Sequence, residues 1–526
     1  MKNNLYLFYV LLALLISSCR KDVDQKIENL NSAENQIKGE GGVVLGKKLE
    51  NPYSVVNMRK AYAKLKGKNS FTTSEESAIT TSHYYVRFLP TDTAQINALK
   101  SDTSLTLYQI PLDYEIINSG SDTQDTSQVL KPVWLYTAVP QDFKFNPAVK
   151  YEVLENLFIP ELVPIPTTTT SGNNKAQGNF ALRLVNEAMR LTNNHQDTVN
   201  LSAGNKVSFT ATGKIQVRDN RLNALVPLQG VRISCRRWFN IKNTTTNAQG
   251  DYSISGFGGK VNYALFYDTK DFDVRAGSFF QAWKDGPHQE SPWNFNIDDR
   301  SIQQFYANVF RGARRYHDGN IGNLRRPNVW KKIKYWALDQ DRKVLGINLG
   351  NTFGVIKIAR YNGSRELDSD EIFSTSVHET AHSVHQAVMH SGDLPYWLMN
   401  ATIRESWAVA IELHITQMEY RERGIADYGS INDETSLGWP SSRGYQLWTK
   451  SYDRDYTSLF IDLVDNVNQN TRFIGVVNDN VQGYTLEQIE PLLKHVHGIY
   501  SLSQKLKEIK PIGVTDAQID ELLGQY

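Results

Sequence analysis

The spacing of hydrophobic and polar positions changes along this chain, and each change predicts different elements. Short apolar and aromatic runs predict β-strands at three places, 83–90, 105–116 and 133–140. A helical pattern at 92–101 lies among them. Strand-like runs separated by Gly, Asn and Pro turns fill 205–275, which predicts an all-β sandwich. From about residue 290 the spacing is mainly helical, with one alternating run at 353–360 (FGVIKIAR).

These patterns predict a multi-domain chain. The segment at 20–75 is rich in Lys, Asn, Gln, Ser and Gly, which is typical of a flexible tether, although a weak helical pattern occurs near 53–65. A Pro-, Thr- and Asn-rich stretch at 159–179 is typical of a linker. The predicted parts are a signal peptide at 1–19, a tether at 20–75, an N-terminal α+β domain at 76–195, an all-β sandwich at 196–288, and a mainly α domain with a small sheet at 289–526.

One part of the all-β region resembles a known module. The stretch PLQGVRI is followed by TTTNAQGDYSI, an order similar to that of the carboxypeptidase-regulatory-like, or transthyretin-like, family. In that family a Thr-x-x-x-Gly-x-Tyr stretch forms a hairpin that enters a strand, and here it would use Thr246, Gly250 and Tyr252. The resemblance implies a transthyretin-like sandwich at 196–288 and says nothing about catalysis.

The N-terminus has the features of an export signal. A basic start is followed by an apolar run from Leu5 to Ile16 and by small residues before Cys19. The run is too short and wrongly flanked for a transmembrane anchor. The ending ISSC resembles a bacterial lipobox, which implies that Cys19 is lipidated and that the protein is anchored to a bacterial membrane of the cell envelope, at the outer membrane or cell surface. The alternative is an ordinary signal peptide cut near Ser18.

Composition excludes one class of partner. Lys and Arg (57) balance Asp and Glu (56), so no basic excess is present to attract nucleic acid, and no helix-turn-helix or zinc-finger spacing occurs. With Cys19 lipidated, Cys235 has no partner for an internal disulfide. Its position in a predicted strand indicates a small buried apolar residue.

The segment SVHETAHSVHQAVMH at 376–390 has the strongest chemical signal. His378 and His382 are four residues apart, so on a helix they lie about 40° apart around the axis and both can reach one metal ion. Glu379 lies about 100° further round, where its carboxylate can take a proton from a water molecule. The alternative is a surface helix with solvated histidines.

Hydrophobic spacing predicts the helix that this geometry requires. Acidic residues at 368–371 favour a helix start, and Gly392 with Pro395 marks the end. Apolar residues recur between them at intervals of three and four, at Phe373, Val377, Ala381, Val384 and Val388.

A zinc site needs a third protein ligand. In the metzincin pattern a histidine further along the same helix supplies it, but Val388 occupies that position and excludes the class. In the gluzincin pattern a glutamate comes from a following helix, and Glu405 begins such a helix 23 residues after His382. Glu412 is the alternative ligand, or a hydrogen-bond partner of a ligand. Val409 stands where gluzincins often have a supporting acid, so the support must differ here.

Residues 350–415 therefore resemble the core of a gluzincin-type zinc metallopeptidase, with an edge strand, an HExxH helix and a glutamate-bearing helix. The resemblance implies a zincin-type domain at 289–526 that binds one Zn²⁺ per chain. His378, His382 and Glu405 would be its ligands, and Glu379 would be the general base in peptide-bond hydrolysis. A peptide or protein substrate would pair in extended form with the strand at 354–360. The candidates for stabilising the oxyanion are Tyr445, Tyr484, His495 and His497.

The remaining histidines receive other roles. We expect His385 to pack or to form hydrogen bonds beside the ligands, His390 to have no role, and His414 to be structural on the face opposite Glu405.

Two other functions of the protein stay open at this point. One is a non-catalytic surface binding protein on a metallopeptidase scaffold, and the other is a zinc hydrolase of a non-peptide amide, such as a cell-wall or glycan-linked bond.

Overall fold

A computed structural model describes much of the chain. By internal contacts the chain divides into residues 1–37 and residues 38–526. The predicted signal peptide at 1–19, including Cys19, lies outside the described residues, as do Tyr445 and His390. The described residues are 37–38, 43–66, 79–118, 132–163, 174–198, 209–278, 280–327, 332–341, 345–349, 354–389, 392, 395–430, 455–471 and 476–526.

The described residues contain both strands and helices. The strands are β1 (Ile37–Lys38), β2 (Val44–Lys48), β3 (His83–Leu89), β4 (Tyr114–Asn118), β5 (Leu135–Pro140), β6 (Lys150–Leu157), β7 (Phe209–Asp219), β8 (Ala224–Pro227), β9 (Arg232–Arg237), β10 (Asn240–Thr245), β11 (Asp251–Phe257), β12 (Val261–Phe266), β13 (Phe272–Ala276), β14 (Phe280–Gln281), β15 (Trp283–Gln289), β16 (Phe295–Ile297), β17 (Ile333–Asp341), β18 (Gly346–Asn348), β19 (Val355–Asn362) and β20 (Arg365–Glu366). The α-helices are α1 (Val55–Lys66), α2 (Thr93–Ser101), α3 (Asn174–Leu191), α4 (Ile302–Asp318), α5 (Ser369–Met389), α6 (Ala401–Glu422), α7 (Leu459–Asp462), α8 (Leu486–Ile489), α9 (Ile499–Glu508) and α10 (Asp516–Leu523). Short 3-10 helices occur at His195–Asp197, Tyr396–Leu398, Gln469–Thr471 and Glu490–His495.

The N-terminal region is built on an antiparallel sheet in which β3 lies between β5 and β6, and β2 pairs separately with β4. Helix α1 packs against α3. Tyr53, Met58 and Tyr62 are fully buried in the same core. The tether predicted at 20–75 is therefore wrong for residues 43–66, because the weak helical pattern there buries large aromatic side chains.

Residues 209–297 supply two sheets that share one core. One has the strand order β10-β9-β12-β15, and the other has the order β11-β7-β16 with β8 paired to β7. The Tyr252 ring of the second sheet lies 6.3 Å from the Tyr263 ring of the first. Cys235 is fully buried in this core, where burial raises the pKa of its thiol.

The turn before β11 explains two residues of the Thr-x-x-x-Gly-x-Tyr stretch. The Thr246 hydroxyl donates to the Leu228 carbonyl at 2.6 Å and accepts from the Val231 amide at 3.1 Å, which joins two neighbouring segments. Gly250 has φ +79°, and a Cβ there would lie 2.4 Å from the Ile215 carbonyl oxygen. Only glycine fits this backbone and this approach.

The sheet beside the histidine-rich helix has the order β14-β13-β17-β19-β18. Strands β13, β17 and β19 are parallel, and β18 pairs antiparallel with β19. Residues 355–360 of the alternating run belong to strand β19, but the prediction that it is an edge strand is wrong, because strands lie on both sides of it. Most of β19 is buried, as is typical of an inner parallel strand. Among the described residues, β18 is the outermost strand on this side.

Strand membership crosses the predicted boundary between residues 288 and 289. Strands β13 and β14 come before the boundary and join the sheet of β17, whereas β16 comes after it and pairs with β7. Buried Arg311 of α4 adds a further link, because it contacts Asp219 at 2.8 Å and Glu419 at 3.2 Å. The chain is thus a multi-domain, mixed α/β protein whose neighbouring regions are joined through shared sheets and ion pairs.

Helix α5 contains the histidine-rich segment and confirms the predicted helix. The five apolar residues of its predicted face are each at most 2% exposed. Helix α4 approaches α5 closely at Gly312, where a Cβ would lie 2.5 Å from the Phe373 carbonyl oxygen. Helix α6 also packs on α5 and begins at Asn400, whose side chain accepts from the Ile403 amide. Within the described ranges, no helix has the length and apolar character needed to cross a membrane.

Candidate metal centre

Three potential ligand atoms meet between α5 and α6. His378 and His382 lie one turn apart on α5, and their Nε2 atoms are 3.2 Å from each other. Oε2 of Glu405, in the first turns of α6, lies 3.0 Å from Nε2 of His382 and 3.7 Å from Nε2 of His378. Glu379 adjoins the pair, so that His378, Glu379 and His382 form a compact group in which each side chain is less than a tenth exposed.

These separations fit a zinc ion. Bonds of about 2.0–2.2 Å in a tetrahedral arrangement place the ligand atoms about 3.4 Å apart. The three distances between the ligand atoms, 3.0, 3.2 and 3.7 Å, lie on both sides of that value. Two imidazole nitrogens and one carboxylate oxygen are also the donor set of catalytic zinc sites that keep one position for water. The residues present therefore fit the metal that the sequence predicts.

The charge balance points the same way. Three buried or nearly buried carboxylates surround the histidines, those of Glu379, Glu405 and Glu412. Arg404 contributes one positive charge, with its Nε 3.3 Å from Glu405 Oε1. An excess of negative charge in a buried position is costly unless a cation compensates it. A divalent cation between the two histidines would do so, in place of the proton that the raised pKa of His378 retains there.

Burial and hydrogen bonds shift the ionisation of the same groups. Burial raises the pKa of Glu405, but hydrogen bonds from the two histidines outweigh it and hold the pKa well below its usual range. Burial lowers the pKa of His378, but hydrogen bonds with Glu405 and Glu412 raise it well above the usual value. Burial raises the pKa of Glu379, which is the direction that suits a group exchanging protons near neutral pH.

Each histidine is oriented through its second nitrogen. Nδ1 of His378 lies 2.9 Å from Oε2 of Glu412, and Nδ1 of His382 lies 2.9 Å from the hydroxyl of Tyr396. The Glu412 carboxylate can only accept, so it favours a proton on Nδ1 of His378, and the Tyr396 hydroxyl can accept from Nδ1 of His382. A metal ion that replaces the protons on the two Nε2 atoms would then meet their lone pairs and the Glu405 carboxylate. Glu412 therefore lies on the far side of the His378 ring, in the position of a supporting partner and not of a third ligand.

Strand β18 reaches the same place from the sheet. The side-chain amide of Asn348 donates to the backbone carbonyl oxygen of Glu379 at 2.6 Å and to the Ser383 hydroxyl at 2.7 Å. These two hydrogen bonds hold β18 against α5. Gly346 lies against the Glu379 side chain, and a Cβ there would be 2.3 Å from its Oε1. The absence of a side chain at this position lets the strand pass directly beside the carboxylate.

No family model, curated protein or solved structure matches this chain.

The other predicted site residues have different positions. His385 is fully buried, with its ring 5.2 Å from that of Tyr396 and 6.4 Å from that of Trp407. Burial lowers the pKa of His385 to about 3, so the ring is neutral and supports the site by packing. His414 lies on the opposite side of α6 and lines a separate cavity.

The residues predicted as candidates for stabilising the oxyanion lie in the C-terminal part of the chain. Tyr484 is 1% exposed, and its hydroxyl donates to the Leu506 carbonyl within the C-terminal core. His495 ends a 3-10 helix, and the His497 carbonyl accepts from the Asn400 amide at the start of α6. The backbone of this segment therefore adjoins the start of α6.

Two tyrosines beside the ligands were missed by sequence reasoning. Tyr396 contacts His382 as described above, and the Tyr456 ring stacks on the His378 ring with a centroid distance of 5.8 Å and an interplanar angle of 22°. Tyr396 lies in the short connection between the two helices, where an aromatic run (YWL) was the only signal. Tyr456 is 51 residues beyond Glu405, and nothing in its local sequence indicates contact with the site.

Proposed function

We propose that the chain is a zinc-dependent peptidase that binds one Zn²⁺ through His378, His382 and Glu405. The observation that supports this most directly is the convergence of two Nε2 atoms and one carboxylate oxygen within 3.0–3.7 Å of one another, beside a buried glutamate. Bound zinc would polarise a substrate carbonyl and make a water molecule more acidic. The remaining steps fall to side chains of this chain.

Glu379 would move the proton. It would accept a proton from the attacking water and pass it to the departing amine, so that the carboxylate is restored at the end of the cycle. Its burial and raised pKa support both halves of this role. The contact with Gly346 limits the rotation of its carboxylate and keeps it beside the histidines.

Strand β18 would bind the substrate. It is outermost among the described strands on this side of its sheet, and it lies directly over Glu379 through Asn348 and Gly346. An extended peptide could add to such a strand through main-chain hydrogen bonds. The Tyr456 ring stacks on the His378 ring, and we propose Tyr456 as a candidate for stabilising negative charge on the substrate oxygen.

The finer assignments of fold and location belong to the same proposal. We infer a zincin-type arrangement for α5, α6 and the sheet of β19, and a transthyretin-like arrangement for the two sheets of 209–297. The lipobox-like ending at Cys19 supports a protein held at a bacterial membrane by lipid, with its N-terminal regions separating the site from the membrane or binding substrate.

The test compares Glu379→Gln with the unaltered protein, both produced without residues 1–19. We expect about one zinc per chain in both, and cleavage of a peptide library only by the unaltered protein. Glu371→Gln is the matched control, because Glu371 lies on the same helix but pairs with Arg365 away from the histidines. It should keep both zinc and activity.

Three other results would contradict the proposed zinc peptidase. Protein that is zinc-free after purification without chelators would refute the metal site. Bound zinc without Glu379-dependent hydrolysis would favour a non-catalytic binding protein. Glu379-dependent cleavage of cell-wall or glycan-linked amides, without cleavage of peptides, would identify a non-peptide hydrolase.

A further inference from the structure

Helix α6 borders a second cavity on the side that faces away from Glu405. The cavity has a volume of about 310 Å³, which falls within the range of small-molecule sites. His414, Gln417 and Arg421 line it, and a rotation of 100° per residue places them roughly 120–180° around the helix from Glu405. The opposite wall consists of α7 and the residues after it, between Phe460 and Val467. The cavity is therefore separate from the metal centre.

The walls combine apolar surface with opposite charges. Leu413 and Phe460 supply apolar surface from the two sides. Arg421 lines the cavity from α6, and Asp465 lines it from the facing segment. The Arg421 guanidinium donates to the Tyr428 carbonyl at 3.3 Å, and no carboxylate among the described residues pairs with it. The guanidinium of Arg421 thus faces a cavity that is also lined by the carboxylate of Asp465, whose Oδ1 accepts from the Val467 amide at 3.1 Å.

The His414 ring adds a polar group without adding charge. Burial lowers its pKa, the negative charge of Glu487 opposes this, and the positive charge of Arg421 adds to the lowering. The ring is therefore neutral at pH 7 and can donate or accept one hydrogen bond. Charge recognition in the cavity falls to Arg421 and Asp465.

We propose that this cavity binds a small zwitterion with an apolar side chain, such as a hydrophobic amino acid or dipeptide. Its carboxylate would pair with Arg421, its ammonium group with Asp465, and its side chain would lie between Leu413 and Phe460. Charge complementarity supports this ligand over a fatty acid, which has no group for Asp465. The inference goes beyond the metal centre and does not rest on its activity, although such molecules are what peptide hydrolysis releases.

The test measures binding by calorimetry to the zinc-loaded protein with Glu379→Gln, so that no dipeptide is consumed. The probes are leucine, leucyl-leucine, leucinamide, N-acetyl-leucine and octanoate. We expect leucine or the dipeptide to bind with a Kd of about 1 mM or below. Loss of either charge from the ligand should weaken binding about tenfold.

Variants of the protein locate the site. Arg421→Gln should weaken the binding of leucine about tenfold. It should leave the binding of leucinamide unchanged, because leucinamide has no carboxylate that could pair with Arg421. Asp465→Asn should weaken the binding of leucine and leave the binding of N-acetyl-leucine unchanged, because N-acetyl-leucine has no ammonium group that could pair with Asp465. The matched control is Arg59→Gln, because the Arg59 guanidinium also donates to a backbone carbonyl, that of Ile79 at 3.0 Å, in the N-terminal region.

Three results would overturn the proposal. The first is the absence of binding by leucine and leucyl-leucine at about 20 mM, well above the expected Kd. The second is equal affinity for the zwitterion and both of its blocked forms. The third is Arg421-dependent binding of octanoate that is tighter than that of leucine, which would identify a site for fatty acids.

Discussion

Glu405→Ala and Glu412→Ala should weaken zinc binding by different amounts, because the two carboxylates contact opposite sides of the same ring. Glu405 Oε2 lies 3.7 Å from Nε2 of His378 and 3.0 Å from Nε2 of His382. Glu412 Oε2 lies 2.9 Å from Nδ1 of His378. The first change removes a ligand, and the second removes only the group that orients one.

The expected magnitudes follow from these roles. Structural zinc bound by four protein ligands gains roughly 10–16 kcal/mol, or about 2.5–4 kcal/mol per ligand, so Glu405→Ala should raise the Kd for zinc by roughly 10²–10³-fold. Loss of a hydrogen-bond partner of a ligand typically costs about 10–100-fold, which is the range expected for Glu412→Ala. Glu405→Ala should therefore be the more damaging change by about a factor of ten.

The assay is competition for zinc against a chromophoric chelator at fixed pH, with circular dichroism to check that each variant is folded. Glu371→Ala serves as the control on α5 and should bind zinc as the unaltered protein does. A larger loss in Glu412→Ala than in Glu405→Ala would exchange the two roles. Unchanged affinity in both would place the metal elsewhere.

The same variants predict a pH dependence. The raised pKa of His378 means that zinc must displace a proton below that pKa, so affinity should fall as pH falls, by about tenfold per pH unit for each proton displaced. Glu412→Ala removes one of the hydrogen bonds that raise this pKa. The difference in zinc affinity between Glu412→Ala and the unaltered protein should therefore narrow at low pH, and a constant difference would contradict the pKa assignment.

Three further changes can be tested separately. Gly346→Ala would place a methyl group 2.3 Å from Glu379 Oε1, so kcat should fall at least about tenfold with zinc content unchanged, whereas Gly498→Ala, whose Cβ meets its nearest neighbour at 4.0 Å, should be neutral. Tyr396→Phe removes the hydroxyl beside the second histidine and should weaken zinc about tenfold by chelator competition without changing the fold. Burial lowers the pKa of Lys100 to about 7 in the folded chain, so the unfolded chain binds more protons between about pH 7 and 10. The free energy of unfolding should therefore rise with pH across that window relative to Lys100→Met, and parallel pH profiles by chemical denaturation would refute this.

Local periodicity predicted the helix of the site but not its surroundings. The apolar spacing of α5 depends only on its own residues. Glu405 was predicted to lie at the start of a second helix, 23 residues after His382, from the local sequence of that helix. Tyr396 and Tyr456 could not be assigned in the same way, because their contacts depend on how a connection and a distant segment pack against α5. The contact of Glu412 with Nδ1 of His378 likewise depends on how the two helices pack together.

The errors in the predicted fold also arise from contacts between segments that are distant in the sequence. The run at 353–360 was predicted to be an edge strand because three-residue β18, which covers it, has too little alternation to be recognised. Residues 43–66 were assigned to a tether because polar composition outweighed a weak helical pattern. Their aromatic residues are buried by partners more than a hundred positions away, as in the hydrogen bond from the Tyr53 hydroxyl to Glu161.

The mixed strand membership across residues 288 and 289 has an evolutionary consequence. A gene fragment that encodes only residues 289–526 would leave β17 without β13 and would expose the hydrogen-bonding edge of a parallel sheet, which is prone to aggregation. Recombination that exchanged the all-β region for another module would remove two strands from the sheet next to the metal centre. The two regions are therefore expected to have been inherited and to have diverged as a single unit.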